Sequence, residues 1–166
     1  SAMSGTAGSS LITHIAGNGN DFGIKVAGLP SKWFTAPASK PVGKIREPFT
    51  AETTLGALGD SAITEGFGTG AMALSYTGQM QELHNGFYED SDFSLPDQLL
   101  MGQHPAFKKS ALKCGLSAEK IAVSQTVPII ELGSIDRHGI DGGLGAGIFR
   151  PPLGVFEQAV NALKSE

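Results

Sequence analysis

The chain of 166 residues contains one cysteine, Cys114, and one tryptophan, Trp33. A single thiol excludes an internal disulfide and the cysteine-rich zinc patterns, and makes a reducing cytoplasm the expected compartment. Lysine and arginine number 12 against 16 aspartates and glutamates, giving a formal charge of -4. The basic residues nowhere cluster, so the electrostatic footprint of a nucleic-acid binder is missing. No apolar run approaches the roughly 20 residues needed to cross a bilayer, and no signal-peptide pattern opens the chain. Neither nucleic acid nor a membrane is therefore an expected partner. His14, His84, His104 and His138 stand far apart with no short metal-ligand spacing, so no metal and no cofactor are expected.

Glycine is what the chain has in quantity: 23 residues, gathered into clusters. Such backbone freedom is placed where a chain turns tightly or lets another group approach closely. Apolar content of 40% and charged content of 17% fit a folded core. Ser1-Ala2-Met3 reads as an expression scar and the Ser/Gly stretch to Ser10 as a flexible lead, leaving residues 11–166 as one domain.

Leu11 to Ala16 is a short apolar run, followed by the turn chemistry of Gly17-Asn18-Gly19-Asn20-Asp21 and an alternating strand through Phe22, Ile24 and Val26; together they predict a β-hairpin. Lys32 to Ala36 resumes as a strand that Pro37 stops. Residues 37–58 read as a long loop of little regular structure, a length that is uncommon without a task. Ala71 to Asn85 has helical spacing that Gly78 weakens, with Met72, Tyr76, Met80 and Leu83 on one face. Phe87 to Pro96 reads as an acidic loop. Pro105 to Cys114 reads as a helix closed by Gly115. Ser117 to Lys120 predicts a single turn before a β-rich run from Ile121 to Leu132. A terminal helix buries Val155, Phe156, Ala159, Val160 and Leu163. This order predicts an α+β fold: a hairpin start, central helices and a C-terminal helix in one mixed layer domain.

The chemistry concentrates at Gly59-Asp60-Ser61-Ala62-Ile63-Thr64-Glu65, followed by Gly66-Phe67-Gly68-Thr69-Gly70. Asp60 and Ser61 are good N-cap residues. A helix start beside glycines presents bare N–H groups that suit a phosphate or carboxylate. The plainer alternative is a capped helix whose glycines allow close packing. Ser61 lies in no Gly-x-Ser-x-Gly elbow and reads as a hydrogen-bond donor. Cys114 reads as packing rather than as a nucleophile. Neither Gly66-Phe67-Gly68-Thr69-Gly70 nor Gly143-Leu144-Gly145-Ala146-Gly147 has the full dinucleotide spacing. What remains is a site for a small anionic or amide substrate, with Asp60 and Glu65 as acid/base groups or as plain surface caps.

Asn18-Gly19 with Phe22-Gly23-Ile24-Lys25-Val26, then Lys32-Trp33-Phe34-Thr35-Ala36-Pro37, then Leu58 to Glu65 with Gly68 and Gly70, stand in an order that resembles a bacterial family of largely uncharacterised proteins. That family includes the large, catalytic subunit of oxamate carbamoyltransferase from anaerobic allantoin degradation. The resemblance is dense over residues 11–77 and sparse beyond, and it likens this chain to the C-terminal part of a longer protein. It implies carbamoyl transfer between phosphate and a small amide such as oxamate. On that reading Asp60, Ser61 and Glu65 are catalytic, and Asn18, Lys25, Lys32, Trp33, Thr64, Gly68 and Gly70 bind substrate. The missing N-terminal region or a partner subunit would complete the site. Gly17 stands where the family usually has arginine, Gly66 where it has threonine, and Glu131-Leu132-Gly133 where it has Asn-Thr-Gly. A subunit-docking or ligand-binding domain without catalysis, and a related amidohydrolase using water, are the alternative readings.

Overall fold

A computed structural model describes residues 6–59 and 62–166. Strands β1 (Ile12–Asn18) and β2 (Asp21–Val26) form the expected antiparallel hairpin. Its turn is held by the Asn18 side chain, whose Oδ1 accepts the Asn20 N–H at 2.9 Å and the Asp21 N–H at 2.7 Å. The register slips by one residue between Ile12 and His14. This bulge puts both Ile12 and Ile15 into the core although they are three apart. β3 (Phe34–Pro37) pairs with β2, and the short β5 (Leu58–Gly59) pairs with the far edge of β1, giving the order β3-β2-β1-β5.

Residues 37–58 hold more structure than the sequence predicts. Within them lie β4 (Val42–Ile45), a 3-10 turn (Ala51–Thr53) and β5. The strand β4 finds its partner about a hundred residues later, in the third glycine cluster, which is strand β9 (Gly143–Phe149) at the centre of the sheet β4-β9-β8 with β8 (Ile130–Ile135). A local reading of four residues cannot see that pairing. At the β8–β9 turn, Asp136 accepts the N–H groups of His138, Ile140 and Asp141. The N–H groups of Asp141 and His138 hold its carboxyl below the usual carboxylate range.

Four further predictions are corrected. The Ala71–Asn85 helix splits at Thr77 into a 3-10 helix (Ala71–Tyr76) and α2 (Gly78–Leu83), so Tyr76 and Leu83 face solvent. The acidic stretch 87–96 is ordered by Asp92, which accepts the Glu89 N–H and meets Arg150 Nη2 at 2.6 Å; a 3-10 turn (Asp90–Ser94) then leads into α3 (Leu95–Leu99). The stretch 105–114 is not a helix. It forms one 3-10 turn and then β7 (Lys113–Leu116), paired with β6 (Leu100–Gln103), and Gly115 takes its positive φ inside that strand. Cys114 is buried, and burial pushes its thiol up. Helix α4 (Ala118–Ser124), with Ser117 capping the Lys120 N–H, takes the first residues of the predicted β run.

The architecture is α+β, with antiparallel sheets and helices in one chain. The terminal helix α5 (Gly154–Lys164) buries Val155, Phe156, Ala159 and Val160 as expected, with Leu163 half-buried beside them, and packs on α4 and the β2–β3 edge. Phe22 and Phe149 bring the two larger sheets together, ring centroids 5.1 Å apart. No helix among the described residues is long and apolar enough to cross a membrane. Replacing Phe156, which is fully buried, by Ala should lower unfolding stability by about 3–5 kcal/mol. Urea denaturation with an unchanged m-value checks it.

Candidate functional site

A helix, α1 (Ala62–Phe67), begins within the motif that predicts one. Asp60 and Ser61, the expected caps and catalytic residues, lie outside the described residues. Glu65 is turned inward and is 4% exposed. Its Oε2 and Oε1 accept the Ala71 N–H at 3.1 and 3.3 Å, and Oε1 also accepts the Glu131 N–H at 3.2 Å. Gly70 makes room for this carboxyl, since a Cβ at that position would collide with both Glu65 oxygens. Removal from water raises the Glu65 pKa from 4.5 to about 7, against the two backbone N–H donors, with the nearby Glu131 adding to the rise.

Glu65 lies on the wall of a cleft of about 390 Å³ that Thr64, Thr69, Gly70, Thr77 and Glu131 also line. The polar lining is carboxyl and hydroxyl; no lysine or arginine lines it among the described residues. Sequence reading did not single out Glu131 or His84. His84 is buried at the end of α2, its Nε2 lies 3.2 Å from Glu131 Oε1, and neither ring nitrogen makes a well-directed hydrogen bond. Glu131 and Glu65 are 66 residues apart, so no local spacing could have shown that they meet.

The expected amide cradle at Gly68 to Gly70 is arranged differently. The Gly68 N–H donates to the Thr64 and Glu65 carbonyls, the Thr69 N–H donates to Thr64, and Gly68 is packed against Leu100. These donors close the end of α1, and the Ala71 N–H is taken by Glu65.

The remaining expected substrate residues form a second group on the outer face of the hairpin sheet. Trp33 lies across Gly23, with Lys25 Nζ 5.0 Å from its ring centroid and the His14 ring at 6.1 Å. Trp33 and Asn18 line a depression of about 190 Å³, and Asn18 uses its carbonyl oxygen in the turn. Lys32 stands apart, over the Phe34 ring at 5.2 Å. Between the two groups is a void of about 10 Å³ touching Gly17, Gly59 and Glu65. A side chain at Gly17 would run into the Ala57 carbonyl, so with β5 in this place the position has no room for arginine. Among the described residues no group of three His, Cys, Asp or Glu is arranged to hold a metal.

Fold and cleft together define an α+β domain with one buried carboxylic acid facing a small polar cleft, an arrangement suited to a small hydrogen-bonding molecule. Residues 1–61 match the family model for "Oxamate carbamoyltransferase subunit AllG". The chain is similar to oxamate carbamoyltransferase subunit AllG of Escherichia coli (strain K12), 34% identical over 163 residues covering 93% of this chain and 39% of that protein. It is also similar to the uncharacterized protein YahG of the same organism, 31% identical over 159 residues, 92% of this chain and 34% of that one. A crystal structure of a conserved protein of unknown function from Enterococcus faecalis V583 superposes with a TM-score of 0.77 at 27% identity, covering 98% of this chain and 41% of the other. The chain thus resembles subunit AllG over nearly all its own length and spans well under half of each relative.

Because folding raises the Glu65 pKa, the native state binds a proton more tightly than the unfolded chain. Its contribution to stability is fully present below about pH 4.5, falls as pH rises toward 7, and is lost above. Relative to Glu65→Gln, the parent should therefore lose on the order of 3 kcal/mol between those limits. Paired denaturation curves at pH 4.5 and 8 measure the difference.

Proposed function

We propose that this chain is the amide-handling domain of a carbamoyltransferase related to oxamate carbamoyltransferase, corresponding to the C-terminal part of its large subunit, and that the Glu65 cleft receives the carbamoyl-bearing end of the substrate. The observation that carries this reading is a buried carboxyl group with a pKa of about 7 on the wall of that cleft. In the reaction, a phosphate oxygen attacks the carbamoyl carbon of a ureido acid, a tetrahedral oxyanion forms, and the C–N bond breaks. The departing amide nitrogen needs a proton, and an acid half-protonated near neutral pH is well matched to give it. Glu65 donates that proton and regains one from the phosphate hydroxyl, leaving carbamoyl phosphate and a free amide.

A cleft of carboxyl and hydroxyl groups accepts N–H donors and suits an uncharged carbamoyl group. The phosphate and the acid group of the substrate are held by cations outside it, supplied by the rest of the longer protein or by another subunit. Thr64, on the cleft rim, orients the amide, the backbone N–H groups around Ser61 contribute oxyanion donors, and Asp60 shares the handling of the proton. Lys25 and Trp33 on the outer sheet face meet the remainder of the substrate or the neighbouring region of the assembly. A cytoplasmic enzyme of purine catabolism is the setting that fits this chemistry.

One observation favours a second reading. The chain spans 39% of subunit AllG, and the exposed Met101 together with the Phe67, His104 and Phe107 rings forms an apolar edge suited to docking. In that case the domain positions a catalytic site built elsewhere.

In the complete enzyme, Glu65→Gln should lower kcat by roughly 10²–10⁴-fold and abolish the fall in parent activity as pH rises through about 7. Initial rates of carbamoyl phosphate formation across pH 5.5–8.5 are the measurement. Parent-like rates and an unchanged profile in the variant would assign the domain to docking.

A further inference from the structure

Among the described residues no cation lines the Glu65 cleft, but two cations meet in a separate depression. Lys40 and Arg137 line a depression of about 500 Å³, together with Gly19, Asn20, Ser39 and Gly56. None of its lining residues belongs to the Glu65 cleft. The two side chains come from positions 97 residues apart and converge on one backbone oxygen: the Glu52 carbonyl accepts from Lys40 Nζ at 3.5 Å and from Arg137 Nη1 at 3.4 Å. Lys40 Nζ is anchored further by the Ala51 carbonyl at 2.6 Å. Neither cation forms an ion pair with a carboxylate among the described residues. In a chain of net charge -4, two adjoining cations held by carbonyls keep their positive field for something outside the chain.

The floor beneath them is built rather than incidental. Three separate segments are joined by four backbone hydrogen bonds: Gly19 N–H to the Ala57 carbonyl, Gly56 N–H to Gly19, Ala38 N–H to Asn20, and Ala57 N–H to Ser39, all between 2.7 and 3.0 Å. Gly56 is pressed between the Ala38 and Gly19 carbonyls, where a Cβ would come within 2.8 Å of each. Arg137 stands on the turn fixed by the Asp136 carboxyl, and its own N–H donates to Thr53 at 2.9 Å. The long segment 37–58 is thereby ordered around this depression.

We propose that this depression is a binding site for a small oxyanion, a phosphate or carboxylate group, gripped by the remaining donors of Arg137 and Lys40. A guanidinium engaged through one nitrogen still presents paired N–H groups, the geometry that takes two oxygens of one anion. The backbone floor fixes both cations before the anion arrives, so little ordering accompanies binding. The site stands on its own geometry and does not depend on the catalytic role given to Glu65.

The test is calorimetry or ³¹P line broadening on the 166-residue chain with inorganic phosphate, and calorimetry with oxamate, at low salt. Saturable binding of either probe is expected, with phosphate alone or oxamate alone identifying which oxyanion the site takes. Arg137→Ala and Lys40→Ala should each weaken binding by about tenfold or more, whereas Lys109→Ala, at an exposed position outside the lining, should leave it unchanged. Because all three side chains are exposed, circular dichroism of the variants should match the parent. No saturation with either probe, or equal affinity in Arg137→Ala and the parent, would overturn the proposal. Neither outcome bears on the rate loss of Glu65→Gln, so the two readings fail separately.

Discussion

One carboxyl group ties together parts of the chain that lie far apart in sequence. Glu65 hangs from α1, takes the backbone N–H of Ala71 at the head of the next turn, and takes a second from Glu131 in β8. Through it, the segment after the hairpin sheet is tied to the sheet that contains the late glycine cluster. Burying such a group without partners would be strongly unfavourable, and the two amides offset part of that penalty. Desolvation still outweighs them, which is why the carboxyl holds its proton near neutral pH. The group is a structural tie as well as the proposed proton donor, and Gly70 is the concession the backbone makes to it.

Around that tie the polar chemistry is segregated by sign. The cleft beside Glu65 carries acids and hydroxyls, while lysine and arginine stand on the hairpin's outer face and at the 40/137 depression. The proposed movement of a carbamoyl group calls for acceptors of N–H groups at one place and cations for anionic oxygens at another, and the chain carries a group of each kind. The chain covers 39%, 34% and 41% of these relatives, which therefore have further sequence beyond the part it matches.

The hairpin, the third strand and the terminal helix were legible because each is specified locally: Asn-Gly turn chemistry, a two-residue alternation, and a three-to-four-residue apolar repeat. Two of the misread segments are short strands. β4 and β7 have four residues each, and β4 finds its partner β9 about a hundred residues further on, so composition alone reads them as loop or helix. Pro105 looked like a helix start because proline is tolerated there, yet the chain needed Lys113 to Leu116 as an edge for β6. The candidate site divides along the same line. Glu65 and Gly70 could be named from their motif, but Glu131 and His84 could not, because what brings them close is the packing of β8 and α2.

By itself the amino-acid order determined the class of fold, the apolar faces of the hairpin and of the terminal helix, the turn of the hairpin and the short motif that holds the acid. Those are properties of neighbours in the chain, set by sterics and periodicity. The tertiary structure alone decided that Glu65 faces inward, that its pKa moves to about 7, that the Gly68 and Thr69 amides close a helix, and that Lys40 and Arg137 meet over one carbonyl. Desolvation and charge proximity depend on which distant segments come within a few ångströms, and no spacing along a sequence encodes that distance.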